Sequence, residues 1–147
     1  MNNDMIIECT NTNPVITLHD CRVGSIEIAD NNVLFIFPYG IRVSDMEQLS
    51  KYAEVEIGAG IDEFNCYLIH NYAFWGRYHF YGCDISLIDI SKMLIGKVEL
   101  ELIDEFYTPN QLYWRFCFNR KKRRRLYDEL VIKCYVPINL VHYRWEE

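Results

Sequence analysis

A chain of 147 residues in which Leu, Ile, Val and Phe number 46 is too apolar to be disordered, since those four fall below about 20% in disordered chains. Its Gly and Pro number only 11, too few for a linker, and no apolar run reaches the roughly 18 residues that cross a bilayer. The formal charge is −6, but six of the 15 bases sit together at Arg120, Lys121, Lys122, Arg123, Arg124 and Arg125, leaving nine bases against 21 acids elsewhere: an acidic body carrying one basic segment.

The first 13 residues are polar and read as a frayed end of a single domain spanning 1–147. No basic stretch followed by an apolar one marks a signal peptide, which predicts a cytoplasmic protein whose six cysteines are thiols. Strand signal begins at Val15. Ile26 and Ile28 flank Glu27, the Asp30-Asn31-Asn32 cluster turns the chain, and an apolar run from Val33 to Phe37 completes a hairpin. Pro38-Tyr39-Gly40 makes the next turn, and Ile41 and Val43 alternate with Arg42. Ser44-Asp45-Met46-Glu47 has the form of a capping box and predicts a short helix over 45–52. Ala53, Val55 and Ile57 alternate with Glu54 and Glu56, and Phe64, Cys66 and Leu68 form the next apolar face. Residues 72–81 hold six aromatics, namely Tyr72, Phe74, Trp75, Tyr78, Phe80 and Tyr81. Ser86-Leu87-Ile88-Asp89 caps a second helix carrying Ile90, Met93 and Leu94, with Gly96 at its expected C′ end. Three long strands follow, with inward sets Val98, Leu100, Leu102; Leu112, Trp114, Phe116, Phe118; and Leu130, Ile132, Cys134, Val136. Residues 138–145 alternate weakly as a last strand.

Eight to ten strands with close turns, 26 Ile and Val against four Ala, predict a mainly β fold. The expected architecture is an antiparallel two-layer sandwich or partly open barrel with one or two short helices at an open end.

Four constellations bear on chemistry. Cys66, His70, His79 and Cys83 carry zinc-ligand types. A hairpin that opposes 70 with 79 and 66 with 83 keeps the two pairs roughly 13 Å apart, so no metal is predicted. His19-Asp20-Cys21 has the residue types of a thiol hydrolase. On a strand, however, His19 and Cys21 stand roughly 6.6 Å apart, which predicts a polar contact for His19 and a core position for Cys21. Cys66, Cys117 and Cys134, inside apolar strand patterns, read as core residues. The carboxylate pairs Glu54/Glu56, Asp62/Glu63, Glu99/Glu101 and Asp104/Glu105 fall on polar strand faces or turns, and no phosphate-binding, nucleophile-elbow or zinc-protease motif is present. No catalytic residue and no cofactor are therefore assigned.

The basic segment lies between two strongly patterned strands and is expected to be a projecting loop. Nucleic acid is disfavoured because the acidic body repels phosphates. The loop is read as merely solvated, or as meeting the acidic face of its own chain or of a second copy, so a homo-oligomer through it is one of the alternatives. The aromatic stretch is dense enough to supply both core and binding surface.

The segments Leu18-His19-Asp20-Cys21-Arg22 and Glu101-Leu102-Ile103-Asp104-Glu105-Phe106-Tyr107 resemble those of small, acidic, uncharacterised bacterial proteins, some of them similar to immunity proteins of toxin–antitoxin-like competition systems. The resemblance implies a non-catalytic cytosolic protein that neutralises a basic toxin, and it assigns no residue roles. A basic protein partner would meet Glu54, Glu56, Glu99 and Glu101, with Tyr72, Trp75 and Tyr78 as the apolar anchor. A small-molecule binder with an aromatic-lined cavity is the second reading and a hydrolase the third.

Overall fold

The computed structural model describes residues 3–6, 16–44, 48–118 and 127–146. Two-residue periodicity dominates it. Thirteen strands form among the described residues: β1 (Asn3–Ile6), β2 (Ile16–Thr17), β3 (Arg22–Val23), β4 (Ser25–Ile28), β5 (Val33–Phe37), β6 (Arg42–Val43), β7 (Tyr52–Ile57), β8 (Phe64–Phe74), β9 (Arg77–Ile85), β10 (Leu100–Thr108), β11 (Gln111–Phe118), β12 (Asp128–Tyr135) and β13 (Val141–Glu146), with one helix, α1 (Leu87–Ile95). All pairings are antiparallel.

A five-stranded sheet in the order β1-β13-β7-β5-β4 faces a six-stranded sheet in the order β3-β10-β11-β12-β8-β9, and β2 pairs with β6 beside them. The predicted inward residues meet between the sheets. Phe35 of the first sheet packs edge-on against Trp114 of the second at 5.0 Å, and Ala53, Val55, Ile57, Leu112, Phe116, Leu130, Ile132 and Cys134 are fully buried around them. The mainly β, two-layer reading holds, and among the described residues no barrel closes.

Four local expectations are revised. Residues 3–6 are not frayed but form an edge strand against β13, while 7–15 lie outside the described residues. The helix over 45–52 is not seen in its described part. The Ser50 amide donates to the Ile41 carbonyl and its hydroxyl accepts from the Ile41 amide, both at 2.9 Å, so this segment is held across the chain and Tyr52 already opens β7. The second helix forms as expected, with the Ser86 hydroxyl accepting from the Asp89 amide at 3.1 Å. At its other end Gly96 has φ −72° and the left-handed position falls one residue later, on Lys97 at φ +64°. Cys117 alternates outward between buried Phe116 and Phe118, because a strand sends neighbours to opposite faces.

Of the weakly patterned residues 138–145, Ile138–Leu140 form a 3-10 turn and the strand begins only at Val141. β13 lies between β1 and β7 and buries Val141, Tyr143 and Trp145. The phase of β10 also changes. A bulge between Leu102 and Asp104 moves the inward positions from Leu100 and Leu102 to Glu105 and Tyr107.

Candidate binding site on the projecting hairpin

β8 pairs with β12 only from Phe64 to Ile69. Beyond that rung, residues 70–74 and 77–81 pair only with each other among the described residues, so β8 and β9 leave the sandwich as a two-stranded arm. Its root is fixed by Asp128, a buried carboxylate whose Oδ1 accepts from the Asn71 amide at 3.1 Å and lies 2.8 Å from His70 Nδ1. The Asn71 side chain adds a donation to the Tyr127 carbonyl at 2.6 Å.

The arm has two aromatic sides. On the side continuing the core face, His70, Tyr72, His79 and Tyr81 form a ladder: Tyr72 stacks on His70 at 6.0 Å and on His79 at 5.4 Å, and Tyr81 meets His70 edge-on at 5.2 Å. On the outer side, Tyr78 and Phe80 are each 76% exposed and, with Asn71, Cys117, Tyr127 and Glu129, line an open groove of about 370 Å³. At the tip, Trp75 and Gly76 have φ +53° and +70°, the two positive values of a type I′ turn. Asparagine or glycine suits the first of these positions; a bulky indole does not. Trp75 is also 86% exposed, so the chain holds a costly backbone conformation and leaves an indole in water.

The acidic residues named from the sequence are arranged otherwise. Glu54 and Glu56 project from the outer face of β7, where one guanidinium serves both: Arg144 lies 3.5 Å from Glu54 and 2.8 Å from Glu56. Arg22 stands in the same relation to Glu99 at 3.0 Å and Glu101 at 3.4 Å. Arg115 bridges Asp104 and Glu129. The repulsion expected between like charges two apart is thus offset by arginines on neighbouring strands. Glu54 and Glu56 belong to the sheet opposite the arm, whereas Glu101 pairs with Cys117, and Glu99 and Glu101 line a second groove that shares Cys117 and Tyr127 with the groove of the arm. The basic segment Arg120, Lys121, Lys122, Arg123, Arg124 and Arg125 lies outside the described residues. It connects the β11 and β12 ends, where Phe118 pairs with Asp128 at the root of the arm.

The zinc-type residues share one face of the hairpin, in a register different from the expected one. His70 opposes Tyr81, Tyr72 opposes His79 and Leu68 opposes Cys83, two residues away from the expected pairing. Among the described residues no three of His, Cys, Asp and Glu converge on a metal-sized site. His19 is exposed beside Asp20 at 3.0 Å. Cys21 is buried, and burial pushes its thiol up to about 11, unsuited to nucleophilic attack at neutral pH.

One cluster escaped the sequence reading. The bulge in β10 turns Glu105 inward, where its carboxylate accepts from the Leu18 amide at 2.6 Å, from Tyr107 at 3.1 Å and from Thr17 at 3.5 Å. Tyr107 in turn contacts the Tyr143 hydroxyl at 2.8 Å and accepts from the Trp114 indole at 3.2 Å. Burial raises the Glu105 carboxyl above its ordinary range, opposed by these donors. The chain's own groups occupy both carboxylate oxygens, so the cluster ties residues 17 and 18 to both sheets. A two-residue period run through residue 103 points Glu105 outward, and only the bulge reverses it.

Comparison with family models, with curated proteins and with solved structures gave no match.

Proposed function

We propose that this is a non-catalytic binding protein that docks a protein partner on the β8–β9 arm, with Trp75 at the tip and Tyr78 and Phe80 on the outer side as anchors. The observation that carries this reading is Trp75: a strained, 86% exposed indole at a turn position that Asn would fill at lower cost. Aromatic residues of this kind supply most of the energy in protein interfaces. The acid excess outside residues 120–125 favours a basic partner and steers its approach, in line with the resemblance to immunity proteins. The proposed setting is the cytosol; among the described residues no helix is long and apolar enough to cross a membrane.

The test is capture of a partner from the source cell by the immobilised full chain, compared with Trp75→Asn and Tyr78→Ser. Both variants should lose the captured protein, and Trp75→Asn should fold at least as stably as the parent because Asn suits the turn. Equal capture by parent and variants would remove the arm from the interface.

A further inference from the structure

Antiparallel pairing leaves alternate residues of a strand with their N–H and C=O groups directed away from the partner. A two-residue turn makes Phe74 and Arg77 a mutually hydrogen-bonded rung, so on β9 the residues facing away from β8 are Tyr78, Phe80, Gly82 and Asp84. The Asn71 amide, opposite Phe80, does turn away from β9, toward Asp128. β9 is the last strand of its sheet among the described residues, and eight of its nine residues are exposed. It lacks the usual protections of an edge: it has no proline, no bulge against β8 and no charge among residues 78–83.

We propose that β9 is a dimerisation edge, pairing antiparallel with β9 of a second copy about a twofold axis at Tyr81. Two conditions fix this register. The outward groups of one copy must meet those of the other, so even residues oppose even residues. A twofold axis normal to the sheet satisfies that condition, and using the whole strand centres it on residue 81. Tyr78 then opposes Asp84 of the second copy, Phe80 opposes Gly82, His79 opposes Cys83, Arg77 opposes Ile85, and Tyr81 opposes itself. No like charges face each other. A phenol meets a carboxylate twice, and twice Phe80 comes beside Gly82, where the ring of Tyr67 from β8 already lies and offers it an aromatic neighbour. This self-complementarity is what an isologous interface requires, and it selects a second copy over an unrelated strand. Three rings from each copy, each able to bury about 150–250 Å², bring the contact with its backbone edge toward the roughly 1,000 Å² of a specific interface. The inference does not depend on the partner reading, although both use Tyr78 and Phe80; Trp75 at the tip belongs to the partner reading alone.

Sedimentation of the full chain from low micromolar to submillimolar concentration should show a reversible dimer. Phe80→Pro removes an outward N–H that no described strand of its own chain uses, and should raise the dimer dissociation constant by about tenfold or more without changing the circular dichroism. Tyr81→Lys, which keeps the backbone intact and opposes two cations, should do the same if the proline variant fails to fold. Tyr81→Cys in a Cys83→Ser background should oxidise to a covalent dimer, because a self-opposed pair of this type brings the Cα atoms to about 4.5 Å, within disulfide reach. A monomer at every concentration overturns the proposal. So does a dimer that survives the charge at residue 81, or one that the Tyr81→Cys thiol fails to cross-link, since either places the interface elsewhere, the basic segment included. Partner capture lost in Trp75→Asn bears on the other reading alone.

Discussion

Tyr107 carries three hydrogen bonds on one oxygen. The Trp114 indole can only donate to it, and the Glu105 carboxylate accepts its proton, which leaves Tyr143 as the second donor. Removing the hydroxyls should therefore cost unequal amounts. Tyr143→Phe deletes one donor and leaves Tyr107 with its other two partners, a loss of about 1 kcal/mol. Tyr107→Phe strands the buried indole N–H and the Tyr143 hydroxyl and takes a donor from Glu105, a loss of about 2–4 kcal/mol. Denaturant unfolding of both variants gives the order directly; equal losses would mean that the oxygen is not shared as described. The thiols differ as sharply. Burial pushes Cys66 and Cys134 up to about 12 and Cys21 to about 11, whereas Cys83 is exposed on the arm. Among the described cysteines, alkylation of folded protein at neutral pH, mapped by peptide mass, should mark Cys83 first and half-buried Cys117 later. Cys21, Cys66 and Cys134 should be marked only on unfolding. Early labelling of Cys134 would contradict the packing of β12.

The C-terminal end of α1 gives a prediction at the level of the element. The Val98 amide donates to the Met93 carbonyl at 3.2 Å and the Lys97 amide to Leu94 at 3.0 Å, the two bonds of a Schellman motif, which needs a left-handed residue at position 97. Lysine pays a steric cost there that glycine avoids, so Lys97→Gly should raise the unfolding free energy by about 1 kcal/mol despite glycine's greater freedom in the unfolded chain. A loss of stability in thermal unfolding would show that the lysine side chain holds this end instead. The same terminus marks how far the sequence could be read. The helix was legible from Ser86 and the spacing of Ile90, Met93 and Leu94, but its stop was placed one residue early because glycine signals the left-handed position only when it occupies it. Strands 53–57, 112–118 and 130–136 were legible because each keeps one phase from end to end. β10 was legible only to Leu102, since no residue type announces a bulge. The aromatic density of the arm was visible, as were Trp75 and Tyr78. Which rings stay in the sandwich depends on where β12 begins, and the pairing depends on Gly76 taking positive φ, which centres the turn on 75–76 and shifts the register by two. Arginines 22, 115 and 144 are distant in sequence from most of the acids they bridge, so the offset charges could not be paired beforehand.

At the scale of the whole molecule, Glu105 is the carboxylate that enters between the two layers. It hydrogen-bonds to residues 17 and 18 and, through Tyr107, reaches Tyr143 of the opposite sheet. The stability of the domain should register its ionisation. Burial is the largest influence on this carboxyl and raises its folded pKa; the Leu18 amide, Tyr107 and Thr17 act in the other direction without reversing it. In the unfolded chain a glutamate titrates near about 4.3. The native state therefore binds the proton more tightly than the unfolded state. For an acid shifted in this direction, the contribution to stability is greatest below the unfolded value and is lost as pH rises toward the folded value. Above that value the charged carboxylate is kept by its three donors and the contribution is constant. Glu105→Gln keeps the side-chain shape and removes the titration. The difference in unfolding free energy between parent and variant should shift against the parent as pH rises from about 4 through the folded value, and should be flat on either side. Urea unfolding of both proteins at closely spaced pH values measures that difference. A shift in the parent's favour over the same window would mean that the donors outweigh burial and that Glu105 is held as a stabilised carboxylate.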